Sequence, residues 1–128
     1  MSFPFHRRFK CKPGMTKYGK RHKPGEMNKT EGEYAERLNA RMLAGEILTF
    51  EFEAVKLKLA DLCFYTPDFY VLHLDGTLEF IDVKGSGPID DKSIVKVKCA
   101  AEKFWQFQFV IEQKQTKKNG LGWKRTEY

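Results

Sequence analysis

Cysteine is scarce in this chain and its pattern is unpaired: Cys11, Cys63 and Cys99 are odd in number, far apart and without CxxC spacing. A disulfide framework is not expected from this pattern, and a reducing compartment is the expectation. His6, Cys11 and His22 could offer metal ligands, but their spacing matches no standard structural zinc site. No apolar run approaches the ~18 residues of a membrane span, so a membrane is not an expected partner. The opening Met1-Ser2-Phe3-Pro4-Phe5-His6-Arg7-Arg8 lacks the long apolar core of a secretory leader, which points to the cytoplasm. Internal repeats are also lacking.

What is present fits one small domain. The 128 residues leave little room for two, and 41% hydrophobic with 14% aromatic content is enough for a real core. A domain of this size buries roughly two-thirds of its unfolded surface and folds without staples. The net charge of +6 is uneven. Residues 1–29 carry Arg7, Arg8, Lys10, Lys12, Lys17, Lys20, Arg21, Lys23 and Lys29 against a single acid, Glu26. A cationic arm of this kind suits a polyanionic partner, nucleic acid before membrane, with a solubilising tail as the plainer reading. Pro4, Pro13, Gly14, Gly19, Pro24 and Gly25 make residues 1–27 a basic, flexible arm.

Past the arm, periodicity takes over. Asn28-x-x-Glu31 and Thr30-x-x-Glu33 both fit a capping box. Tyr34, Ala35, Leu38 and Met42 recur at helical spacing, and Gly45 is the natural stop. Extended segments follow at 47–53 and 55–59. Residues 64–84 read as a β-hairpin with its tip at Asp75-Gly76, although Pro67 interrupts the first arm. After Gly85-Ser86-Gly87-Pro88, Asp90 or Asp91 caps a second helix running to about Trp105, with Ile94, Val97, Ala101 and Phe104 on its apolar face. Phe107, Phe109 and Ile111 alternate in a last strand, and residues 114–128 form a basic tail. Phe104, Trp105, Phe107 and Phe109 are expected in the core, and Trp123 is a candidate for base stacking or a dimer contact. The expected fold is α/β, a central mixed sheet flanked by helices, in the order α-β-β-β-α-β over residues 28–113.

The chemistry is concentrated around the hairpin. Side chains alternate along a strand, so Asp82 and Lys84 share one face with Leu78 and Phe80, while Glu79, Ile81 and Val83 share the other. Both faces are mainly apolar, which makes two charges at one end the anomaly. Asp68 lies seven residues before the tip and Asp82 six after it, so the two carboxylates fall roughly opposite each other. Facing carboxylates repel unless a cation lies between them, and hard divalent ions favour such oxygens. The alternative is a structural ion pair, Asp82 or Asp68 with Lys84.

Pro67-Asp68, a short hairpin and Asp82-Val83-Lys84 together resemble the PD-(D/E)XK nuclease signature. The stretches from Asn28-Lys29-Thr30-Glu31 to Ala44-Gly45-Glu46-Ile47, Tyr65-Thr66-Pro67-Asp68-Phe69 and Phe80-Ile81-Asp82-Val83-Lys84-Gly85 are similar to a phage-encoded family of endonuclease-like proteins of unknown function. Lys17-Tyr18-Gly19 resembles the opening of that family, and the likeness covers roughly residues 17–112. The resemblance implies a restriction-endonuclease-like core and a Mg²⁺- or Mn²⁺-dependent endonuclease acting on DNA, with branched DNA such as a Holliday junction as a plausible substrate and RNA left open. A two-fold homodimer would suit action on two strands, and the setting would be the host cytoplasm. By resemblance, Asp68, Asp82 and the Val83 main-chain carbonyl hold metal, and Lys84 serves the attacking water and the transition state. Glu31 is the first-helix acid, which joins the catalytic set and the metal ligands by the same resemblance, with Glu33 its competitor. Two positions on a helix differ by about 200°, so both cannot face one site. Asp82 stands where Glu is commoner. Lys96 and Lys98 are the family-type candidates on the second helix, and Lys92 would attract phosphates with them. Arg7, Arg8, Lys20, Arg21 and Lys23 of the arm are further candidate contacts to nucleic acid. A non-catalytic nucleic-acid-binding module is the alternative function.

Overall fold

A computed structural model describes residues 25–128. The arm residues Arg7, Arg8, Lys20, Arg21 and Lys23, the His6–Cys11–His22 set and Lys17-Tyr18-Gly19 lie outside them. Helix α1 (Lys29–Leu43) starts as its sequence dictates. The Asn28 side chain accepts from Glu31 N–H and Glu31 Oε2 accepts from Asn28 N–H, both at 2.9 Å, a complete capping box. The helix ends at Gly45, whose φ of +77° lets Gly45 N–H reach Met42 O and Glu46 N–H reach Arg41 O. Two carbonyls of the last turn are thereby satisfied.

The chain then builds β1 (Ile47–Phe52), β2 (Leu57–Ala60), β3 (Cys63–Tyr65), β4 (Phe69–His73) and β5 (Leu78–Lys84), followed by α2 (Asp91–Lys103), β6 (Gln108–Lys114) and β7 (Trp123–Glu127). The main sheet runs β1-β4-β5-β6-β7 and is mixed: β5 and β6 are parallel, the other pairs antiparallel. The crossover between β5 and β6 is α2, as a parallel pair requires.

Two apolar layers sandwich the sheet. On one face Tyr34 and Leu38 of α1 pack on Ile47, Phe69, Val71, Ile81, Val83 and Val110. On the other, Val97 and Ala100 of α2 and Leu57 and Tyr65 of the β2–β3 hairpin cover Phe80, Phe109 and Ile111. The strict alternation along β5 explains its odd composition, because each face has its own helix. The fold is therefore α/β with a mixed five-stranded sheet and a helix on each side. No helix among the described residues is long and apolar enough to cross a membrane.

Four features differ from the sequence reading. Cys63–Tyr65 is not the start of the β4 arm; Pro67 has no N–H to continue a ladder, and β3 pairs instead with β2 as a separate two-stranded sheet. More strands thus precede α2 than the expected order allows. Residues 114–128 are not merely a tail, since Trp123–Glu127 forms β7 against β6. Trp123 is not presented for stacking on bases; its ring meets Tyr34 edge-on at 5.0 Å. Trp105 is not in the core but 77% exposed beyond the end of α2, whereas Phe109 is buried and Phe104 and Phe107 flank the core as expected.

The α1 face of the sheet also holds buried charge. Glu79 is 0% exposed; its Oε2 lies 2.6 Å from His73 Nε2, and its Oε1 lies 2.5 Å from Arg125 Nη1, a charge contact whose angles fall outside hydrogen-bond geometry. Arg125 also approaches Glu112 at 3.5 Å and donates to Glu127 at 2.9 Å. One arginine on β7 thus serves acids on β5, β6 and β7.

Candidate active site

The β4–β5 register pairs Tyr70 with Phe80 and Phe69 with Ile81. One step further along this register, Asp68 faces Asp82 at the open end of the hairpin. The Asp68 main chain is anchored there by Glu53, whose N–H donates to Asp68 O at 2.8 Å. Glu53 holds φ at +46°, a left-handed conformation that a non-glycine residue adopts at some cost. Asp68 Oδ2 accepts from Val83 N–H at 2.7 Å, which locks the carboxylate across the strand gap. Asp82 is 5% exposed, and its Oδ2 lies 3.3 Å from Lys84 Nζ.

Both carboxylates are thus drawn out of water and toward each other. Burial, and next the charge of Asp82, push the Asp68 pKa well above the ordinary carboxylate range; Glu31 adds to this, while the Val83 N–H and Lys84 oppose it. Tyr65, at the end of β3, completes the wall. Its hydroxyl is buried beside Asp82 but outside hydrogen-bond geometry. Burial, and then the charges of Asp82 and Asp68, hold that hydroxyl protonated far beyond its usual range.

Of the two candidate acids on α1, Glu31 is the one turned inward. It is buried in the first turn, and its charge acts on Asp68. Its Oε2 also accepts from Asn28 N–H, so the residue both closes the helix start and borders the acidic centre. Glu33 points elsewhere and pairs with Lys114. Among the described residues no group of three or more His, Cys, Asp or Glu side chains converges as a ready metal cage.

Beyond Lys84, the loop Gly85–Asp90 turns back over the sheet to the start of α2. It borders a cleft of about 320 Å³ lined by Lys84, Gly85, Gly87, Pro88, Ile89, Asp90 and Ser93. Gln113, paired with Lys84 across β5 and β6, donates from Nε2 to Gly85 O at 3.2 Å and Gly87 O at 2.7 Å, fixing the loop beside the lysine. Asp90 caps α2 through Ser93 N–H at 2.7 Å, and its bonds to Ser93 hold its carboxyl below the usual range.

The candidate cations on α2 divide. Lys96 Nζ donates to Phe64 O at 3.1 Å and so ties the β2–β3 hairpin to the helix; Lys103 does the same to Lys58 O at 2.8 Å. Lys92 and Lys98 are exposed. Tyr65, Glu53 and Gln113 were missed by sequence reasoning. Tyr65 stood inside the Tyr-Thr-Pro-Asp stretch and could have been found there; nothing local marks Glu53 or Gln113.

A family model described as "Protein of unknown function (DUF1064)" matches residues 25–120, a span that runs from the cap of α1 to the turn before β7. No curated protein and no solved structure matches the chain.

Proposed function

We propose that this chain, which belongs to the DUF1064 family of proteins of unknown function, is a divalent-metal-dependent endonuclease of the PD-(D/E)XK kind that hydrolyses phosphodiester bonds in DNA. The observation that carries the reading is the Asp68–Asp82 pair. Two carboxylates are held face to face at one sheet end, one pinned by Val83 N–H and the other 3.3 Å from Lys84 Nζ. Like charges so placed are unfavourable unless a cation joins them.

The donor set fits a hard cation. Asp68, Asp82 and the Val83 carbonyl offer only oxygen, and Mg²⁺ or Mn²⁺ takes one or two carboxylates and fills the rest of its shell with water. When bound, such an ion supplies Lewis-acid activation of water and charge stabilisation of phosphate. The chain's own groups do the positioning. Val83 N–H keeps Asp68 from swinging away from Asp82. Lys84 Nζ, steadied by Asp82, can donate to a phosphoryl oxygen or orient the attacking water. Tyr65 walls Asp82 from bulk solvent, and Glu31 adds its charge beside Asp68. Exposed Lys92 and Lys98, with Arg7, Arg8, Lys20, Arg21 and Lys23 of the arm, would hold the DNA backbone.

The Asp82–Lys84 ion pair favours a second reading, a non-catalytic nucleic-acid-binding module in which these charges are structural. Labelled four-way junction, flap, duplex and single-stranded DNA, incubated with Mg²⁺, Mn²⁺ or EDTA, separate the two. Metal-dependent cutting that disappears in Asp82→Ala supports the nuclease. Tight binding without cutting in any metal supports the binding module.

A further inference from the structure

Away from the two acids, the β2–β3 hairpin holds a feature that packing does not explain. Its turn is Asp61-Leu62, between β2 and β3. Leu62 has φ at +54°, a conformation in which glycine or asparagine is usual. The same side chain is 89% exposed, the most exposed large apolar residue among those described. A strained backbone and a solvated leucine coincide at one position, and among the described residues neither has a compensating contact.

The hairpin is fixed beside the acidic centre. β3 leads from this turn to Tyr65, whose hydroxyl borders Asp82, a path of three residues or about 10 Å. Cys63 borders Asp91, Lys92, Val95 and Lys96 on the first half of α2, the helix that follows the Lys84 loop. The Lys96–Phe64 and Lys103–Lys58 bonds clamp the hairpin to that helix, so the tip stands at a set offset from the carboxylates. Exposed Phe64 and Val95 widen the apolar tip. Lys56, whose Nζ lies 4.4 Å from the Phe64 ring centroid, joins Lys58, Lys92 and Lys96 around it and outweighs Asp61 and Asp91.

We infer that the β2–β3 tip is a DNA wedge: Leu62 enters where base stacking is already interrupted, and Lys56, Lys58 and Lys92 take the flanking phosphates. Apolar side chains inserted between base steps must offset the cost of unstacking, and that cost is smallest at a branch, flap or unpaired step. The preferred ligand is therefore branched or opened DNA over continuous duplex. This inference rests on the nucleic-acid reading of the Asp68–Asp82 centre and narrows its substrate.

The test measures binding of the full chain in EDTA to a four-way junction and to a continuous duplex of matched sequence, with 2-aminopurine at the branch. Wild type should prefer the junction by on the order of ten-fold. Leu62→Gly should lose that preference, and Leu62→Phe should keep it together with the rise in 2-aminopurine fluorescence. Leu62→Gly should melt no lower than wild type, since glycine relieves the backbone; this excludes unfolding as the cause of lost binding. A Leu62→Gly protein that still prefers the junction, or a wild type with no preference, overturns the wedge. Cleavage of the same DNAs with Mn²⁺ keeps the two readings apart. Leu62-dependent junction binding without cutting would reject the nuclease and leave the wedge. Normal cutting with junction preference unchanged in Leu62→Gly would reject the wedge and leave the nuclease.

Discussion

Lys84 and Asp68 make opposite demands on the same small volume. Lys84 offsets Asp82 at 3.3 Å, and its predicted role is in the transition state. Lys84→Ala should bind DNA yet cut on the order of 10²-fold more slowly, read as kcat under saturating DNA; normal cutting would remove Lys84 from the mechanism. Asp68, with its pKa raised chiefly by burial and by Asp82, binds a proton more tightly folded than unfolded. The contribution of Asp68 to stability is then fully present below the ordinary value of 3.8 and is lost as pH rises through the raised one. Melting curves in EDTA should show this decline, and Asp68→Asn or added Mg²⁺ or Mn²⁺ should flatten it. An identical decline in Asp68→Asn would move the titration to another group. At this scale Asp68, Asp82, Lys84 and Glu31 were legible because strand alternation and a capping pattern are local properties. The Tyr65 hydroxyl, the Glu53 backbone and the Gln113 amide were not, because each reaches the site through a tertiary approach that no short window encodes.

Elements with strong local signals folded where the sequence placed them. The start of α1 is one case: Asn28→Ala should cost about 1 kcal/mol of unfolding free energy in urea, as loss of an N-cap does. It should also disturb Glu31, whose carboxylate uses the same cap. A silent Asn28→Ala would show that packing of Tyr34 and Leu38 alone fixes the helix. β5 and the hairpin turn were equally plain, since alternation and Asp75-Gly76 agreed with each other. Two elements were not. β3 looked like part of β4 because both are rich in β-formers, and only Pro67 marked the break. β7 was hidden by Lys124 and Arg125, which read as tail charges until β6 offered them a partner strand.

Over the whole molecule, Arg125 joins the last strand to the interior by charge, as Trp123 does by packing on Tyr34. Glu79 and Glu112 are buried, and burial raises the Glu112 pKa while Arg125 opposes the rise. Arg125→Met should therefore destabilise by about 2–4 kcal/mol, somewhat under the figure for a fully buried pair because the arginine side chain keeps a third of its surface in solvent. Adding Glu79→Leu should recover part of the loss, because the abandoned charge goes with it; a double variant no better than the single would show that Arg125 acts through packing. The turn at Asp75-Gly76 has a consequence of another kind. It lies at the far end of the hairpin from Asp68 and Asp82, and the two acids meet because their strands pair, not because of the length of chain between them. Residues could be gained or lost at that turn without moving either carboxylate. The interval from Pro-Asp to Asp-x-Lys is thus free to drift as the protein evolves, and the same turn is the natural place to graft a loop or a label while leaving the paired acids where they are.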